Sequence, residues 1–195
     1  LVQQDNAHLI VDEAHAVGIH GPGGRGLCVS AGIEGACFAR VVTFGKALGG
    51  HGAAVLVSAP LKQYLLNSAR SQIFTTALSP PALQWLGVAF EELPNLEAKR
   101  QHVQALVRAF QSEAATISKS VLVEKGPMLA VIISGNDAVV RVADQLQSQG
   151  FDVRPIRKPT VAAGSERLRI CLHALNTTHE VEQLAKHITS VLQNS

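Results

Sequence analysis

Three short apolar runs mark the beginning of the chain, and each run ends in polar residues or glycines. The runs are LIV at 9–11, ARVVTF at 39–44 and AAVLV at 53–57. Apolar runs of this length are typical of strands that are buried on both faces. A glycine-rich stretch, VGIHGPGGRG at 17–26, separates the first two runs and predicts a loop. The pattern therefore predicts three strands before any long helix.

Helical patterns follow in the middle of the chain. Pro60 and the pair Pro80 and Pro81 suit the first turn of a helix, because proline lacks the N–H group that a helix start leaves unpaired. Asn95 can act as the N-cap of a longer amphipathic helix that reaches about Ser118. Its packing face consists of Leu96, Val103, Leu106, Val107 and Phe110.

The last part of the chain predicts a compact α+β unit. Strands are predicted in MLAVIIS, FDVRPI and ERLRICLH, and a helix closed by Gly150 is predicted in NDAVVRVADQLQSQG. A final helix begins at a capping box formed by Thr177 and Glu180. Strand alternation in ERLRICLH places Leu168, Ile170 and Leu172 on one face and Arg167, Arg169, Cys171 and His173 on the other. We predict a boundary near residue 119, with domains at 1–118 and 119–195.

Composition excludes several classes of protein. Of the 195 residues, 47% are hydrophobic and 16% are charged, which is typical of a folded domain rather than a disordered chain. The net charge of +2 is spread along the chain, so neither a nucleic acid nor an anionic membrane is expected as a partner. The three cysteines have no metal-type spacing and no histidine pair suggests a metal site, so we expect a cytoplasmic protein without a metal. The chain begins with Leu1 rather than Met, and we expect that it is part of a longer protein.

Nucleotide binding is the first hypothesis for the function of the polar residues that follow the predicted strands. LIVDEAH at 9–15 is a sequence with which DEAH-type NTPases hold magnesium, and Gly45 and Lys46 suggest a phosphate-binding loop. That loop, however, requires glycine at position 40 and serine or threonine at position 47, where this chain has Arg40 and Ala47. Further NTPase motifs are missing as well, so this alternative is disfavoured.

Asp12, His15 and Lys46 suggest a different chemistry. Asp12 and Lys46 follow two predicted strands, and strand ends can converge at one edge of a sheet. A lysine can form a Schiff base with the aldehyde of pyridoxal 5'-phosphate (PLP), and a carboxylate can keep the ring nitrogen protonated. An imine carries no permanent ammonium charge, and the glycines around Lys46 allow ligands to approach the backbone. This pattern indicates a PLP site.

Four stretches in order carry a family resemblance: VDEAHAVGIHGPGGRG, TFGKALGG, FTTALSPP and PTVAAGSERLRI. Together they resemble the α-oxoamine synthases, PLP enzymes of the aspartate-aminotransferase fold that condense an amino acid with an acyl-CoA, usually with loss of carbon dioxide. The resemblance implies an α/β fold, with the C-terminal part of a PLP fold type I large domain followed by a small α+β domain. The family's chain is about twice as long, so the resemblance covers the C-terminal half.

The resemblance also implies substrates and partners. It is strongest to the biotin-pathway member of the family, which joins alanine to pimeloyl-CoA, and the member that joins glycine to acetyl-CoA is the alternative. A homodimer with active sites at the subunit interface is implied. The 195 residues alone are expected to be inactive and to bind PLP weakly, because parts of the site would lie outside them.

The family's cofactor residues transfer onto matching positions. Lys46 is the implied Schiff-base lysine and proton-transfer base, Asp12 the partner of the ring nitrogen and His15 the partner of the ring's phenolic oxygen. Thr43 is implied to bind the cofactor phosphate, and Thr76, with Thr75 less firmly, the phosphate in the neighbouring subunit. Simpler roles stay open: a helix cap for Asp12 or Thr76, a packed loop residue for His15 and an ordinary strand position for Thr43.

The implied substrate-binding residues lie near the end of the chain. Arg169 matches the arginine that grips the substrate carboxylate, a role suited to a planar bidentate donor. Arg157 and Thr160 match further substrate contacts, although a solvated loop charge is an equal alternative for Arg157. Ala162 stands where the family usually has proline, which would loosen that loop.

Overall fold

The computed structural model describes residues 7–115, 117, 121–123 and 126–193. The chain divides into two compact units, Leu1–Ala98 and Lys99–Ser195. The first unit contains the strands β1 Ile10–Asp12, β2 Ala39–Thr43 and β3 Ala53–Val57, and the helices α1 Leu27–Ser30, α2 Ala59–Ser68, α3 Arg70–Ile73 and α4 Pro80–Glu92. Short 3₁₀ turns lie at Pro22–Gly24, Glu34–Ala36 and Leu93–Leu96. The prediction of three strands before any long helix is confirmed.

The strands of the first unit form one sheet in the order β1-β2-β3. β1 runs parallel to β2, with Asp12 opposite Val41, and β3 runs antiparallel to β2, with Ala53 opposite Thr43. Because β1 and β2 are parallel, both end at the same edge of the sheet. Thr43 follows Val41 by two positions, so Asp12 and Thr43 share a face at that edge.

The opposite face of this sheet holds the unit's apolar core. Phe44, which follows β2, and Val42 are buried together with Val17, Leu48, Leu86 and Leu93. Leu86 comes from α4, so this helix covers the face. The predicted helix after Pro60 is divided, because Ala69 has an extended conformation (φ −79°, ψ 104°) that ends α2 before α3 begins. The helix predicted from Pro80 is confirmed.

The second unit is an antiparallel sheet with helices packed on it. Its elements are α5 Glu97–Glu113, β4 Val121–Val123, β5 Met128–Ile132, α6 Asn136–Ser148, β6 Arg154–Ile156, β7 Arg167–Cys171 and α7 Thr178–Gln193. The strand order is β4-β5-β7-β6, and every neighbouring pair is antiparallel. β4 was not predicted. In β7 the buried Leu168 and Ile170 alternate with the exposed Arg169 and Cys171, as the pattern predicts.

The two compact units meet at 98/99, so most of α5 belongs to the second unit. The domain boundary near residue 119 stays a prediction. Leu106 and Phe110 of α5 are fully buried in one core with Leu129 and Leu168. Asn95 lies inside the 3₁₀ turn Leu93–Leu96 and does not cap α5, which begins at Glu97. The predicted helix end at Ser118 falls outside the described residues.

The capping box at the last helix is present. The backbone N–H of Thr177 donates to Glu180 Oε2 over 2.7 Å, and the N–H of Glu180 donates to Thr177 Oγ1 over 3.2 Å. The same Thr177 N–H lowers the pKa of the Glu180 carboxyl, because it bonds the charged form. We find no helix that could span a membrane among the residues the structure describes.

Candidate cofactor site

Lys46 lies at the tip of the connection between β2 and β3. The backbone of Phe44 forms two hydrogen bonds across this loop: its N–H donates to the carbonyl of Gly52 over 2.9 Å, and its carbonyl accepts from the N–H of Gly50 over 2.7 Å. A turn closes next to the lysine, where Gly49 N–H donates to the carbonyl of Lys46 over 3.0 Å. The side chain of Lys46 is exposed and forms no ion pair with a described residue. The loop thus presents a primary amine at the sheet edge.

This geometry overturns the NTPase alternative. In a phosphate-binding loop the lysine opens a helix whose N-terminal N–H groups hold the phosphates. Here Lys46 is followed by a turn and then by β3, which pairs antiparallel with β2. Among the described residues, no helix begins next to Lys46 that could hold a nucleotide.

Helix α4 holds the lysine loop from behind. The indole N–H of Trp85 donates to the carbonyl of Leu48 over 3.1 Å. Gly50 lies so close to the same helix that a Cβ there would come within 2.8 Å of Leu86 Cδ2. A larger residue at position 50 would therefore displace the buried side chain of Leu86 or the loop itself. The glycines around Lys46 serve this close packing as well as access for a ligand.

Asp12 and His15 lie on the turn that leaves β1. One carboxylate oxygen of Asp12 accepts from the N–H of Ala14 over 2.8 Å, which fixes the side chain and leaves the second oxygen for another donor. A local capping role therefore does exist for Asp12, alongside the implied cofactor role. His15 is exposed, so it is not the packed loop histidine that the sequence left open.

Gly18 brings this turn against the lysine loop. Its φ of +88° suits glycine, and a Cβ there would lie 2.6 Å from the Cβ of Ala47, the neighbour of Lys46. The turn that carries Asp12 and His15 therefore packs directly beside the lysine loop. The ends of β1 and β2 therefore lie at one sheet edge, and the roles of Asp12, His15 and Lys46 stay predictions.

Thr43 provides a direct test of whether these residues fit the cofactor. Its Oγ1 is buried and has no hydrogen-bond partner in the structure. Leaving a buried hydroxyl unpaired costs about 1 to 3 kcal/mol, so such groups usually mark a missing partner. An anionic oxygen at the strand end, such as that of a phosphate group, would complete its bonding. The amine, the oriented carboxylate and the orphaned hydroxyl on one edge fit PLP.

Thr75 and Thr76 are exposed and lie between α3 and α4. The N-cap position of α4 is Ser79, so neither threonine caps that helix. This removes the simpler role left open for Thr76. Contact with a neighbouring subunit stays a prediction.

Arg169 lies in β7 of the second unit, where its side chain is exposed. Arg154 of β6 is directly opposite it in the sheet. Both line a cleft of about 440 Å³ together with His173 and Phe151. Arg167 lies two residues earlier in β7. Its Nε–H donates to the carbonyl of Ser165 over 2.8 Å and so supports the loop before the strand. The carboxylates of Asp152 and Glu180 line the same cleft, and Asp152 pairs with Arg154 over 2.8 Å. Arg169 has no ion pair with a described residue, so its guanidinium can receive an anionic ligand.

Arg157 and Thr160 are exposed on the loop between β6 and β7. Sequence reasoning missed the residue that anchors this loop, the buried Glu166 (4% exposed). Its Oε2 accepts from the backbone N–H of Gly135 over 3.0 Å and from that of Gly164 over 2.9 Å. These N–H groups, that of Gly135 foremost, lower the pKa of Glu166. The only sequence signal was a carboxylate just before an apolar strand.

Sequence reasoning also missed the pair of Glu13 and Arg40. Glu13 is 1% exposed, and its carboxylate forms an ion pair with Arg40 and accepts from the N–H of Cys28 over 2.9 Å. Arg40 also donates to the carbonyl of Arg25 over 3.1 Å. The pair ties the glycine-rich loop and α1 to the sheet directly behind Asp12. An arginine inside the apolar run of β2 was the available signal.

Comparisons with known proteins show the family and the fold of this chain. The family model of aminotransferase class I and II matches residues 1–188. The 8-amino-7-oxononanoate synthase of Emericella nidulans is 42% identical over 201 residues, which cover 99% of this chain and 48% of that protein. The crystal structure of 8-amino-7-oxononanoate synthase from Francisella tularensis has a TM-score of 0.85 at 31% identity and covers 95% of this chain and 55% of that one.

A serine palmitoyltransferase structure that contains PLP has a TM-score of 0.90 at 25% identity and covers 99% of this chain and 49% of that one. The chain thus spans about half the length of the proteins it matches. The resemblance to the α-oxoamine synthases and the PLP fold type I architecture are confirmed. Because the family model matches residues 1–188, the chain belongs to the aminotransferase class I and II family.

Proposed function

We propose that this chain carries the lysine-bearing part of a PLP-dependent acyltransferase that condenses an amino acid with an acyl-CoA and releases carbon dioxide. The proposed substrates are alanine and pimeloyl-CoA, the reaction of an 8-amino-7-oxononanoate synthase in biotin biosynthesis. The observation that carries the proposal is the convergence of Asp12, Thr43 and Lys46 at one sheet edge. The 42% identity to a synthase of that name supports the choice of substrates.

We assign each part of the cofactor to a described residue. Asp12 would pair with the ring nitrogen, His15 with the phenolic oxygen and Thr43 with the phosphate, while Lys46 would hold the aldehyde carbon. When bound, PLP supplies an electron sink that stabilises negative charge on the α-carbon of an amino acid. Asp12 contributes by keeping the ring nitrogen protonated, since its fixed carboxylate favours the positive charge.

Lys46 supplies the proton-transfer group in this proposal. Its amine would accept a proton from the α-carbon of the amino acid and later return it. Such a base must keep its position while it gains and loses the proton. The hydrogen bonds of Phe44 within the loop and of Trp85 to Leu48 provide that rigidity.

The second unit supplies the groups for the substrate. Arg169 would bind the carboxylate of the amino acid through two parallel N–H donors. Arg157 and Thr160, on the loop anchored by Glu166, would provide further contacts. We place the enzyme in the cytoplasm as a homodimer in which Thr76, with Thr75, contacts the phosphate of the neighbouring subunit's cofactor.

Product analysis tests this function. The PLP-loaded, full-length protein is incubated with alanine or glycine and with pimeloyl-CoA or acetyl-CoA, and the products are identified by mass spectrometry. We expect turnover to be highest for alanine with pimeloyl-CoA, with release of carbon dioxide and free CoA. Preference for glycine with acetyl-CoA would replace the proposed substrates but keep the reaction class. Transfer of the amino group to an oxo acid without CoA release would overturn the proposal.

A further inference from the structure

Two cysteine side chains lie next to each other on the first unit, apart from the candidate cofactor site. The sulfur atoms of Cys28, in α1, and Cys37, just before β2, are 3.7 Å apart. Cys28 is 1% exposed, whereas Cys37 is partly exposed. One thiol is therefore sheltered and the other is accessible to a small reagent.

The backbone holds both cysteines in place. The backbone N–H of Cys28 donates to the carboxylate of Glu13, which is in turn bound to Arg40 of β2. On the side of Cys37, the next residue, Phe38, donates its N–H to the carbonyl of Leu9 over 2.9 Å. Within the connecting segment, Ile33 N–H donates to the carbonyl of Cys28 over 3.0 Å, and Cys37 Sγ contacts the carbonyl of Ile33 at 3.3 Å. The two sulfur atoms thus stay adjacent because both ends of the segment are tied to the sheet.

We propose that Cys28 and Cys37 form a reversible thiol–disulfide modification site whose oxidant is a small hydroperoxide. The thiol of Cys37 first attacks the peroxide, giving a sulfenic acid on Cys37 and one water (or an alcohol). The thiol of Cys28 then attacks that sulfur, a second water leaves and the disulfide forms. Two thiols lose two electrons and two protons in total, and the peroxide is reduced. A small thiol reductant reverses the change by disulfide exchange.

The environments of the two thiols assign this order. Burial raises the pKa of the Cys28 thiol to about 11, so Cys28 stays protonated at neutral pH and is a poor first nucleophile. Cys37 is the accessible thiol. Cys28 attacks second, when a reactive sulfur is already in contact with it.

The chain offers a convenient test. Trypsin is expected to release residues 26–40 as one peptide, since no lysine or arginine lies between Arg25 and Arg40, and this peptide contains both cysteines. The folded, PLP-loaded protein is treated with hydrogen peroxide, alkylated with iodoacetamide and digested without reductant. We expect the peptide to carry no alkyl group and to be two hydrogen atoms lighter than the peptide with two free thiols. Reduction with dithiothreitol before alkylation should give the doubly alkylated peptide again. Recovery of the doubly alkylated peptide after peroxide would overturn the proposal.

Variants test the assigned order and control for the third thiol. Cys171 is exposed in the second unit, so Cys171→Ser should leave the cross-link unchanged. In Cys28→Ser the sulfenic acid cannot be resolved, and dimedone should label Cys37. In Cys37→Ser dimedone should not label Cys28. Labelling of Cys28 in that variant, with its circular dichroism spectrum unchanged, would refute the order, and cross-links from either cysteine to Cys171 would refute the site.

Discussion

At the scale of single residues, the candidate site combines groups that are unsatisfied or exposed. Lys46 has no ion-pair partner among the described residues, and the Oγ1 of Thr43 is buried without a hydrogen bond. Asp12 uses one oxygen for the turn. Protein interiors rarely leave a buried hydroxyl such as that of Thr43 unpaired without a functional reason. Predictions at this scale concern which side chains bind the cofactor and the substrate.

We expect Lys46 to be the residue that bonds covalently to PLP. Borohydride reduction of the loaded full-length protein fixes the cofactor to that amine, and peptide mapping should find the label on Lys46. Lys46→Arg should abolish labelling, because a guanidinium does not form the bond. Lys62 of α2 is a matched control because it is an exposed lysine in the same unit. The Lys62→Arg variant should still carry the label on Lys46. A label on Lys62 would disprove the assignment.

We expect Arg169→Lys to raise the KM for the amino acid much more than the KM for the acyl-CoA. The change replaces a bidentate donor by a point charge and should cost about 1 to 3 kcal/mol of charged hydrogen bonding. Steady-state kinetics with each substrate varied in turn measure the difference. Arg167→Lys is the control, because that side chain is bound to the carbonyl of Ser165. Equal increases for both substrates in Arg169→Lys would contradict the role.

At the scale of elements, strand ends and loops together carry the site, and each loop is held by contacts from elsewhere. The lysine loop is held by Trp85 of α4 and packed against Gly18 through Ala47. The loop with Arg157 and Thr160 is held by Glu166, and the side chain of Asn136 accepts from the N–H of Lys158 over 3.0 Å. Rigid anchors of this kind keep exposed functional residues in place.

Glu166 makes the anchoring of its loop dependent on pH. Its folded pKa is lowered, so the carboxylate contributes stability above its unfolded pKa of about 4.5 and loses it as the pH falls through the folded pKa. We expect Glu166→Gln to be less stable than the parent protein at neutral pH, with a difference that shrinks on acidification below about 4.5. Urea unfolding at a series of pH values measures this.

Glu182→Gln in α7 is the control for that experiment. No backbone N–H donor to Glu182 occurs among the hydrogen bonds of the described residues, so its replacement should leave the difference small at every pH. A destabilisation by Glu166→Gln that does not change with pH would mean that the charge of Glu166 is unimportant.

At the scale of the molecule, the 195 residues present an open site. The sheet face that carries Asp12 and Thr43 leaves Ile10 62% and Val55 51% exposed. The relatives are about twice as long as the chain. Binding energy for a cofactor depends on groups that surround it and exclude water.

We therefore expect the 195-residue chain alone to bind PLP weakly and to show no synthase activity, because Asp12, His15 and Lys46 are exposed to water. A titration followed by the visible absorption spectrum measures the affinity. The Lys46→Arg chain, which lacks the reactive amine, gives the background from nonspecific reaction at other lysines. Stoichiometric, tight binding with turnover of alanine and pimeloyl-CoA would contradict this expectation.

Much of the local structure was readable from sequence because it depends on neighbouring residues. Apolar runs predicted β1, β2 and β3, alternation predicted the two faces of β7, and Thr177 with Glu180 predicted the start of α7. Spacing is enough in these cases, since strands repeat every two residues and helix caps act over three. The order of the motifs also placed Asp12 and Lys46 after strands, from which their convergence followed.

Tertiary structure decided what depends on residues far apart in the chain. Phe110 completes the second unit's core, so most of α5 lies in that unit, and Trp85 holds the lysine loop. Glu13 pairs with Arg40 and accepts from the N–H of Cys28, and the sulfur atoms of Cys28 and Cys37 lie next to each other. Periodicity reports which face of an element is apolar but not which partner covers it. Only the folded chain sets such pairings, because they depend on how complete elements pack together.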